Sequence, residues 1–325
     1  MNTPKPIASL SLDLDNQWSY MKTHGDPGWE SFPSYLDIVV PRVLDFLKAR
    51  NLTITVFIVG QDAALEKNRK ALASIAAAGH EIGNHSFHHE PWLHLYTEEE
   101  IEEEIARAED AIELATGRRP RGFRGPGFSL SSATLRVLAR RGYRYDASTF
   151  PTFVGPLARA YYFMASKFSS EEKRRRGALF GSIADGLRPV KPYLWNVDGH
   201  KLTEIPVTTM PVFRVPIHMS YIIYLSSLSR NFARWYFRLG LQLCRLTGTT
   251  PSLLLHPLDF LGCDDIQALS FFPGMNLPAK HKLSVVGDVL KLLCDTFEVV
   301  TLDHHVRFAA SACLMVKEPR FGTAP

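Results

Sequence analysis

Residues 79–91 read Gly-His-Glu-Ile-Gly-Asn-His-Ser-Phe-His-His-Glu-Pro, and the rest of the chain is interpreted around them. His85 and His89 are four residues apart, a spacing that puts two side chains on the same side of a helical turn. Two imidazoles placed in this way can direct ring nitrogens at one metal ion. Histidine pairs also occur in ordinary polar turns, so the metal hypothesis requires a carboxylate and proton-transfer groups elsewhere in the chain.

The composition is that of a globular protein with a substantial core. The chain has 325 residues, of which 46% are hydrophobic and 22% charged, and this suits one large α/β domain with insertions. A net charge of +4 is mild, and no RNA-binding or base-reading motif is present, so no nucleic-acid partner is expected. The four cysteines are scattered without a CxxC pair, which argues against a zinc finger and favours unpaired thiols in a reducing compartment.

The sequence also bears on location. Its first residues lack the charged and then apolar pattern of a signal peptide. It contains no run of about 18 uncharged apolar residues, so no membrane-spanning helix is predicted. We therefore expect a cytoplasmic protein, able to touch the inner membrane face from that side.

Strand and helix patterns alternate through the first half of the chain. Residues 7–14 predict a buried strand that brings Asp13 and Asp15 to its carboxyl end on one face, although a solvated Asp-x-Asp turn is equally compatible with these residues alone. Helices are predicted at 35–50, 64–78, 97–116 and 135–141, and further strands at 53–59, 80–82, 121–125 and 143–146. This alternation indicates a parallel sheet, closed or nearly closed, with functional side chains at the strand carboxyl ends.

The second half is less regular. Residues 150–196 are interpreted as an insertion or lid, with aromatic residues at 161–163 and a basic run at 173–176. Strands are predicted at 204–207 and 252–255, the latter ending in His256. The last helix is expected at 283–294 and the last strand at 297–302.

Five short motifs occur in order, and together they resemble the NodB-homology polysaccharide deacetylases, carbohydrate esterase family 4. They are Ser-Leu-Asp-Leu-Asp-Asn at 11–16, His-Ser-Phe-His-His at 85–89, Arg-Gly-Pro-Gly at 124–127, Asp-Ala-Ser at 146–148 and Leu-Leu-Leu-His-Pro at 253–257. The resemblance covers roughly residues 7–302. It implies an α/β fold of the distorted (β/α)7-type barrel kind, here as one domain over 1–325 with insertions at 150–200 and 211–248.

The resemblance further implies metal-dependent hydrolysis of an N-acyl group. It makes Asp15, His85 and His89 the metal ligands, a set that suits Zn²⁺ and that Co²⁺, Ni²⁺ or Fe²⁺ can also occupy. His88 is a competing ligand in place of His89.

Proton-transfer roles are implied in the same way. Asp13 matches the general base and Arg124 its ion-pair partner, and His256 matches the general acid that protonates the departing amine. Asp146 is the carboxylate expected to favour the cationic form of His256.

Two departures from the family pattern fall within these motifs. Leu14 separates two aspartates that are adjacent in the family, and Gly127 stands where the family has tyrosine. The backbone N–H groups around Gly127 and Phe128 remain the expected oxyanion donors.

The segment 217–245 bears on the substrate. Its arginines at 230, 234 and 238 recur every four residues among Phe, Trp and Tyr, as in an interfacial helix lying on anionic lipid, whereas a core helix with solvated arginines would show the same pattern. We hypothesise de-N-acylation (acetyl or formyl) of an amino sugar joined to a lipid carrier or glycolipid. A soluble-glycan deacetylase, a metal-independent amidohydrolase acting on a small cyclic or ureide amide, and a non-catalytic sugar-binding module are the alternatives.

Overall fold

The centre of the fold is the first strand, β1 (Ile7–Leu14), in which every residue is buried. The computed structural model describes residues 4–154 and 186–321, so the predicted aromatic and basic runs at 161–163 and 173–176 lie outside the described residues. β1 pairs in parallel with three other strands, β2, β8 and β9. A strand covered on both faces is typical of a parallel sheet inside an α/β protein.

The bounds of the regular elements follow from the backbone hydrogen bonds of the described residues. The other strands are β2 (Thr55–Ile58), β3 (Glu81–Asn84), β4 (Gly122–Phe123), β5 (Tyr145–Asp146), β6 (Tyr193–Val197), β7 (His200–Glu204), β8 (Ser252–Leu255), β9 (Glu298–Val300) and β10 (Val316–Lys317). The helices are α1 (Gln17–His24), α2 (Leu36–Lys48), α3 (Gly60–Ala64), α4 (Glu66–Ala77), α5 (Glu98–Thr116), α6 (Ser132–Arg140), α7 (Met219–Leu228), α8 (Arg230–Thr247), α9 (Ala279–Thr296) and α10 (Leu302–Ala310).

The sheet confirms the predicted α/β class. Its strands follow the order β10-β6-β7-β5-β4-β3-β2-β1-β8, with β9 also paired to β1. All pairs are parallel except the β6–β7 hairpin, and the recorded path is open between β8 and β10 in the described part of the chain. Because parallel strands end at the same edge, the residues that follow β1, β3, β4, β5 and β8 are brought together there.

Local sequence explains why the helices start and stop where they do. Thr97 and Glu100 form a capping box at the start of α5, and Gly117 ends that helix in the left-handed conformation, which explains why the helix predicted at 97–116 has these bounds. Ile101, Ile105 and Ile112 point from one side of α5 into the core and are fully buried.

Three predictions about elements are wrong in detail. The strand expected at 204–207 is β7, which ends at Glu204, because it pairs in a hairpin with β6. The helix around 283–294 is not the last, since α10 follows it. Neither is the strand around 297–302 the last, since β10 adds to the edge of the sheet at β6.

The segment 217–245 forms two helices rather than one. Ser229 separates α7 from α8 in an extended conformation and caps α8 by accepting a hydrogen bond from the N–H of Phe232. Phe237 is buried in the core, whereas Phe232 and Trp235 are 45% and 57% exposed. Helix α8 thus has a buried aromatic residue, as expected of a core helix, and exposed aromatic residues, as expected of an interfacial helix. Among the described residues, no helix has the length and apolar character needed to cross a bilayer.

Candidate metal and catalytic site

Three candidate ligands meet at the carboxyl edge of the sheet. Asp15 follows β1, and its Oδ1 lies 3.3 Å from Nε2 of His85 and 3.0 Å from Nε2 of His89. One ligand atom from each of the three residues falls within 4.8 Å of the others. The structure therefore brings together the three ligands that the sequence predicted. His88 is turned away, with its Nδ1 paired to Glu104, and this removes the competing ligand.

The two histidines meet through a loop, so the prediction that they share a helical turn is wrong. Ser86 and His89 have positive φ values of 61° and 54°, which reverse the chain twice within five residues. The loop is held from outside, because the Glu104 carboxylate accepts hydrogen bonds from the N–H groups of Phe87 (3.1 Å) and His88 (3.0 Å). The backbone N–H of Gly60 also donates to the carbonyl of Ser86 at 2.8 Å.

Glu104 lies in an acidic run at residues 98–104, and no motif in the sequence singles it out. It is 5% exposed, and although burial tends to raise its pKa, hydrogen bonds from His88 and Phe87 lower it. An ionised buried carboxylate thus holds the loop between the two candidate histidine ligands.

The donor set fits a divalent metal ion. The carbonyl oxygen of Arg124 lies 2.6 Å from Nδ1 of His85, and because a carbonyl only accepts, the proton of that ring is on Nδ1. Nε2 of His85, which lies 3.3 Å from Asp15 Oδ1, is then the ring nitrogen available to a metal ion. Ligand atoms about 2.0–2.2 Å from a tetrahedral zinc lie roughly 3.3–3.6 Å from one another, which is close to the spacing seen here.

The electrostatics of Asp15 agree with that role. Burial tends to raise its pKa, but the charges and hydrogen bonds of His89 and His85 outweigh burial and lower it well below the usual value. Tyr20 also donates to its Oδ2 at 3.2 Å. Asp15 is therefore an anionic ligand held in one orientation.

Asp13 and Arg124 form the predicted ion pair next to the three ligands. Nη1 of Arg124 lies 2.7 Å from Oδ1 of Asp13 and 2.8 Å from the hydroxyl of Ser11, and Nε donates to the carbonyl of Ala147 at 2.9 Å. Arg124 is completely buried, and its guanidinium lies over the ring of Phe57 at 4.4 Å. The pair fixes one oxygen of Asp13 and leaves the carboxylate able to act as a base.

The turn after Arg124 is tight. A side chain on Gly125 would put its Cβ 2.0 Å from the carbonyl oxygen of Ser129, so only glycine fits there. Gly127 and then Phe128 both have positive φ, at 57° and 64°. The N–H of Phe128 donates to the carbonyl of Gly125 at 3.0 Å and is used within the turn, and the oxyanion role of Gly127 stays a prediction.

His256, which follows β8, is held by a carboxylate other than the expected one. Nδ1 of His256 lies 3.3 Å from the Ser220 hydroxyl, which lies 3.0 Å from Oδ1 of Asp259. The backbone N–H of His256 donates to Oδ2 of Asp259 at 2.7 Å. Ser220 donates its hydroxyl proton to Asp259, and the His256 side chain also accepts from the backbone N–H of Asp259, so Ser220 and Asp259 together hold the ring. Nε2 is thereby left for substrate.

The expectation that Asp146 partners His256 is wrong. Asp146 accepts from the hydroxyl of Ser148 at 2.6 Å and lies against the carboxyl group of Glu204, which accepts from Thr149 and Trp195. Burial, followed by the charge of Asp146, raises the pKa of Glu204 well above its usual value. The two acids are completely buried and share a proton. Asp146 therefore belongs to the buried residues beside Arg124 and not to the surroundings of His256. Asp259 carried no sequence signal beyond its place three residues after His256.

Two further buried histidines lie outside the five motifs. His305 is fully buried and bridges the hydroxyls of Ser9 and Thr250, each at 2.8 Å. His218, for which the sequence offers no partner, lies beside the site with its ring centroid 6.1 Å from that of His256.

Comparison with known proteins gives a family match over part of the chain. Residues 26–145 match the family model described as polysaccharide deacetylase, a span that includes both histidine ligands and Arg124. Over 149 residues the chain is 30% identical to a peptidoglycan deacetylase from Helicobacter pylori, covering 44% of this chain and 49% of that protein. Over 86 residues it is 36% identical to a peptidoglycan-N-acetylglucosamine deacetylase from Bacillus cereus, covering 26% of this chain and 30% of that protein. The chain thus spans about half or less of these two curated relatives.

A solved structure extends the likeness of fold to the whole chain. It is that of a Mycobacterium smegmatis protein assigned to the polysaccharide deacetylases, with a TM-score of 0.60 and 21% identity, and the match covers 100% of this chain and 99% of that one. The motifs, the parallel sheet and the family match agree. The chain therefore contains, at residues 26–145, a match to the polysaccharide deacetylase domain of the NodB-homology type.

Proposed function

We propose that this domain is a divalent-metal-dependent hydrolase that removes an N-acyl group from an amino sugar. The observation that carries the proposal is the convergence of Asp15, His85 and His89 beside the Asp13–Arg124 pair. The names of the Helicobacter and Bacillus relatives support an N-acetylated amino sugar as the substrate class.

Each residue has a defined task in this proposal. Asp15, His85 and His89 would hold the metal, which acts as a Lewis acid on the acyl carbonyl and makes a water molecule more acidic. Asp13, held by Arg124, accepts the proton of the attacking water as the new carbon–oxygen bond forms. His256 delivers a proton to the nitrogen as the carbon–nitrogen bond breaks, which releases a free amine and a carboxylate. Zn²⁺ is the first candidate, and Co²⁺, Ni²⁺ and Fe²⁺ are alternatives.

The test is carboxylate release from defined substrates. The chelated protein is reloaded with one equivalent of Zn²⁺ and incubated with tetra-N-acetylchitotetraose and with N-formylated and N-acetylated glucosamine. We expect acetate or formate release that requires metal and falls at least about 100-fold in Asp13→Asn and His256→Ala, both of which should still bind zinc. His304→Ala, an exposed histidine on α10, is the control. Equal rates with and without metal would favour the metal-independent amidohydrolase and contradict the proposal.

We further propose that the sugar is attached to a lipid and that α8 contacts the membrane that holds it. The support is the exposed surface of α8, where Phe232 stacks on Trp235 at 5.8 Å beside the exposed Arg234 and Arg238. Arg230 is not part of this exposed surface, because its guanidinium forms an ion pair with Asp288 of α9 at 2.7 Å. Aromatic side chains beside unpaired cations are typical of helices that lie on anionic lipid. The proposal includes a cytoplasmic location on the inner membrane face.

Vesicle flotation tests the lipid component. Full-length protein is mixed with phosphatidylcholine vesicles that contain or lack phosphatidylglycerol. We expect flotation with the anionic vesicles only, lost in Arg234→Glu/Arg238→Glu and in Phe232→Ala/Trp235→Ala. Arg118→Glu, a charge reversal at an exposed position after α5, is the matched control. Flotation that survives both double substitutions would overturn the lipid component, and hydrolysis of free sugars would then favour a soluble-glycan deacetylase.

A further inference from the structure

The buried side chain of His218 lies close to the candidate site. It lies immediately before α7 and is 7% exposed, and neither of its ring nitrogens has a hydrogen-bond partner among the residues that the structure describes. Leaving a buried donor or acceptor unpaired costs about 1–3 kcal/mol. Native structures rarely keep such a group without a bound molecule to satisfy it.

The surroundings of His218 connect it to the reaction centre. Its ring stacks on Phe150 at 5.5 Å with an interplanar angle of 18°, and Phe150 in turn stacks on Phe128 at 4.8 Å. We call these three residues the aromatic wall. Its far end, Phe128, belongs to the turn after Arg124, and its near end faces the ring of His256. The wall therefore spans from the predicted acid to the predicted oxyanion turn.

The charge state of His218 restricts what it can bind. Burial, and then the positive charges of His256 and Arg124, lower the pKa of His218 to about 3, so the ring is neutral at ordinary pH. A neutral imidazole offers one donor and one acceptor. A hydroxyl group has the same pair of capacities, whereas a carboxylate or phosphate needs donors only. The ring is thus suited to an uncharged hydroxyl.

We propose that the aromatic wall is a sugar subsite in which His218 hydrogen-bonds a ring hydroxyl of the substrate while the edges of the stacked Phe150 and Phe128 rings line the apolar side of the sugar. The inference rests on the proposed function and deepens it by assigning a specificity-determining contact. A pocket lined by aromatic rings with a few placed polar groups is the usual form of a small-molecule site. Sites that bind a hydroxyl in this way discriminate strongly against analogues that lack it, because the protein group is then left unpaired.

The experiment separates binding from hydrolysis. Zinc-loaded Asp13→Asn protein is titrated with tetra-N-acetylchitotetraose by calorimetry, and wild type is titrated with the fully deacetylated tetramer, which cannot be hydrolysed. His218→Leu is introduced into both, together with His218→Asn, which retains a donor and an acceptor, and His304→Leu as an exposed control. We expect Kd to rise at least about 10-fold in His218→Leu, to recover in part in His218→Asn and to be unchanged in the control.

Deoxy analogues of the sugar identify the contact. With wild type, removal of the hydroxyl that meets His218 should weaken binding about as much as His218→Leu does, and the two losses should not add. The ring nitrogen resonances of His218 should move when the sugar binds, a change that a purely structural histidine would not give.

The outcomes distinguish this inference from the proposed function. Unchanged Kd in His218→Leu, or losses that add for every deoxy analogue, overturns the subsite even if carboxylate release is intact. Failure of both tetramers to bind also overturns it, and carboxylate release from N-acyl glucosamine then decides the proposed function separately. Weakened binding with partial recovery in His218→Asn supports the subsite even if no carboxylate is released.

Discussion

Asp13 and Arg124 form an ion pair that is almost completely removed from water, at 4% and 0% exposure. Breaking a buried ion pair by removing one partner typically costs about 3–5 kcal/mol, because the remaining charge is left without compensation. Truncation of either residue would therefore lower stability as well as activity, and the two effects could not be separated. Near-isosteric changes such as Asp13→Asn are the informative ones at this site.

The first prediction at the residue scale concerns Asp259. Asp259→Asn removes the negative charge that acts on His256 through Ser220, so the imidazole is less readily cationic and the alkaline limb of the rate profile should move to lower pH. We expect kcat/KM to fall roughly 10- to 100-fold with unchanged zinc content. The measurement is a pH–rate profile on the N-acyl glucosamine substrate.

Ser220→Ala should give a smaller effect in the same direction, and Asp295→Asn at the exposed end of α9 should give none. An unshifted alkaline limb in Asp259→Asn would show that Asp259 does not act on the acid.

A second prediction at this scale concerns Asp62, whose Oδ1 accepts from Asn16 (2.7 Å), Trp18 (3.0 Å) and Asn68 (3.1 Å) while Oδ2 has no partner in the described part of the chain. Burial is the main reason that its pKa is raised from 3.8 to about 7. Between pH 3.8 and about 7, Asp62 thus keeps its proton in the folded protein and loses it in the unfolded chain. The free energy of unfolding therefore falls as the pH rises through this range. Asp62→Asn keeps the accepting oxygen and removes the titration.

Urea unfolding at pH 5 and pH 8 checks this. The free energy of unfolding of Asp62→Asn, taken relative to that of wild type, should be higher at pH 8 than at pH 5. Asp110→Asn, at an exposed position of α5, should show no such change. An equal difference at both pH values would contradict the assigned protonation.

At the scale of elements, the loop that follows β3 depends on α5. The N–H groups of Phe87 and His88 would be unpaired without the Glu104 carboxylate, and the positive φ of Ser86 and His89 is sustained only by such outside contacts. The helix therefore supports the geometry of the two candidate histidine ligands.

Glu104→Ala should for this reason lower zinc affinity about 10- to 100-fold and destabilise the fold by about 2 kcal/mol. Glu103→Ala is the matched control from the adjacent position, since Glu103 is 70% exposed and pairs only loosely with Arg107. Zinc titration with a competing chelator and urea unfolding are the measurements. Identical zinc affinity in the two variants would exclude the supporting role.

At the scale of the whole molecule, the candidate metal ligands come from parts of the chain that are distant in sequence. Asp15 follows the central strand and the histidines follow β3, with β2 between the two strands in the sheet. A ligand that binds only the folded state stabilises it by RT ln(1 + [L]/Kd), about 2.7 kcal/mol at one hundred times Kd. Metal binding should therefore register in global stability.

Zinc should raise the melting temperature of the chelated wild type by several degrees. Asp15→Ala and His89→Ala should lose this increase, whereas His88→Ala should retain it, because His88 faces Glu104. Differential scanning fluorimetry with and without zinc is sufficient. An equal increase in all four proteins would place the metal elsewhere.

The sequence by itself determined the α/β class, the strand that brings Asp13 and Asp15 together and the ends of α5, and its resemblance to a known family supplied the three metal-ligand candidates. The first three follow from local signals, namely buried strand patterns and a capping box, whereas the candidates follow from motifs shared with that family. Parallel strands end at one edge, so residues that follow different strands converge without further information.

Only the tertiary structure decided the support around those residues. Glu104 reaches Phe87 and His88 across a gap in sequence, and Ser220 reaches Asp259 and His256 from another element, and no periodicity marks these contacts. The non-helical path from His85 to His89 depends on contacts with Glu104 and Gly60. The positive φ values of Ser86 and His89 are locally unfavourable, and hydrogen bonds from other elements offset this cost. Such bonds cannot be predicted from the local sequence.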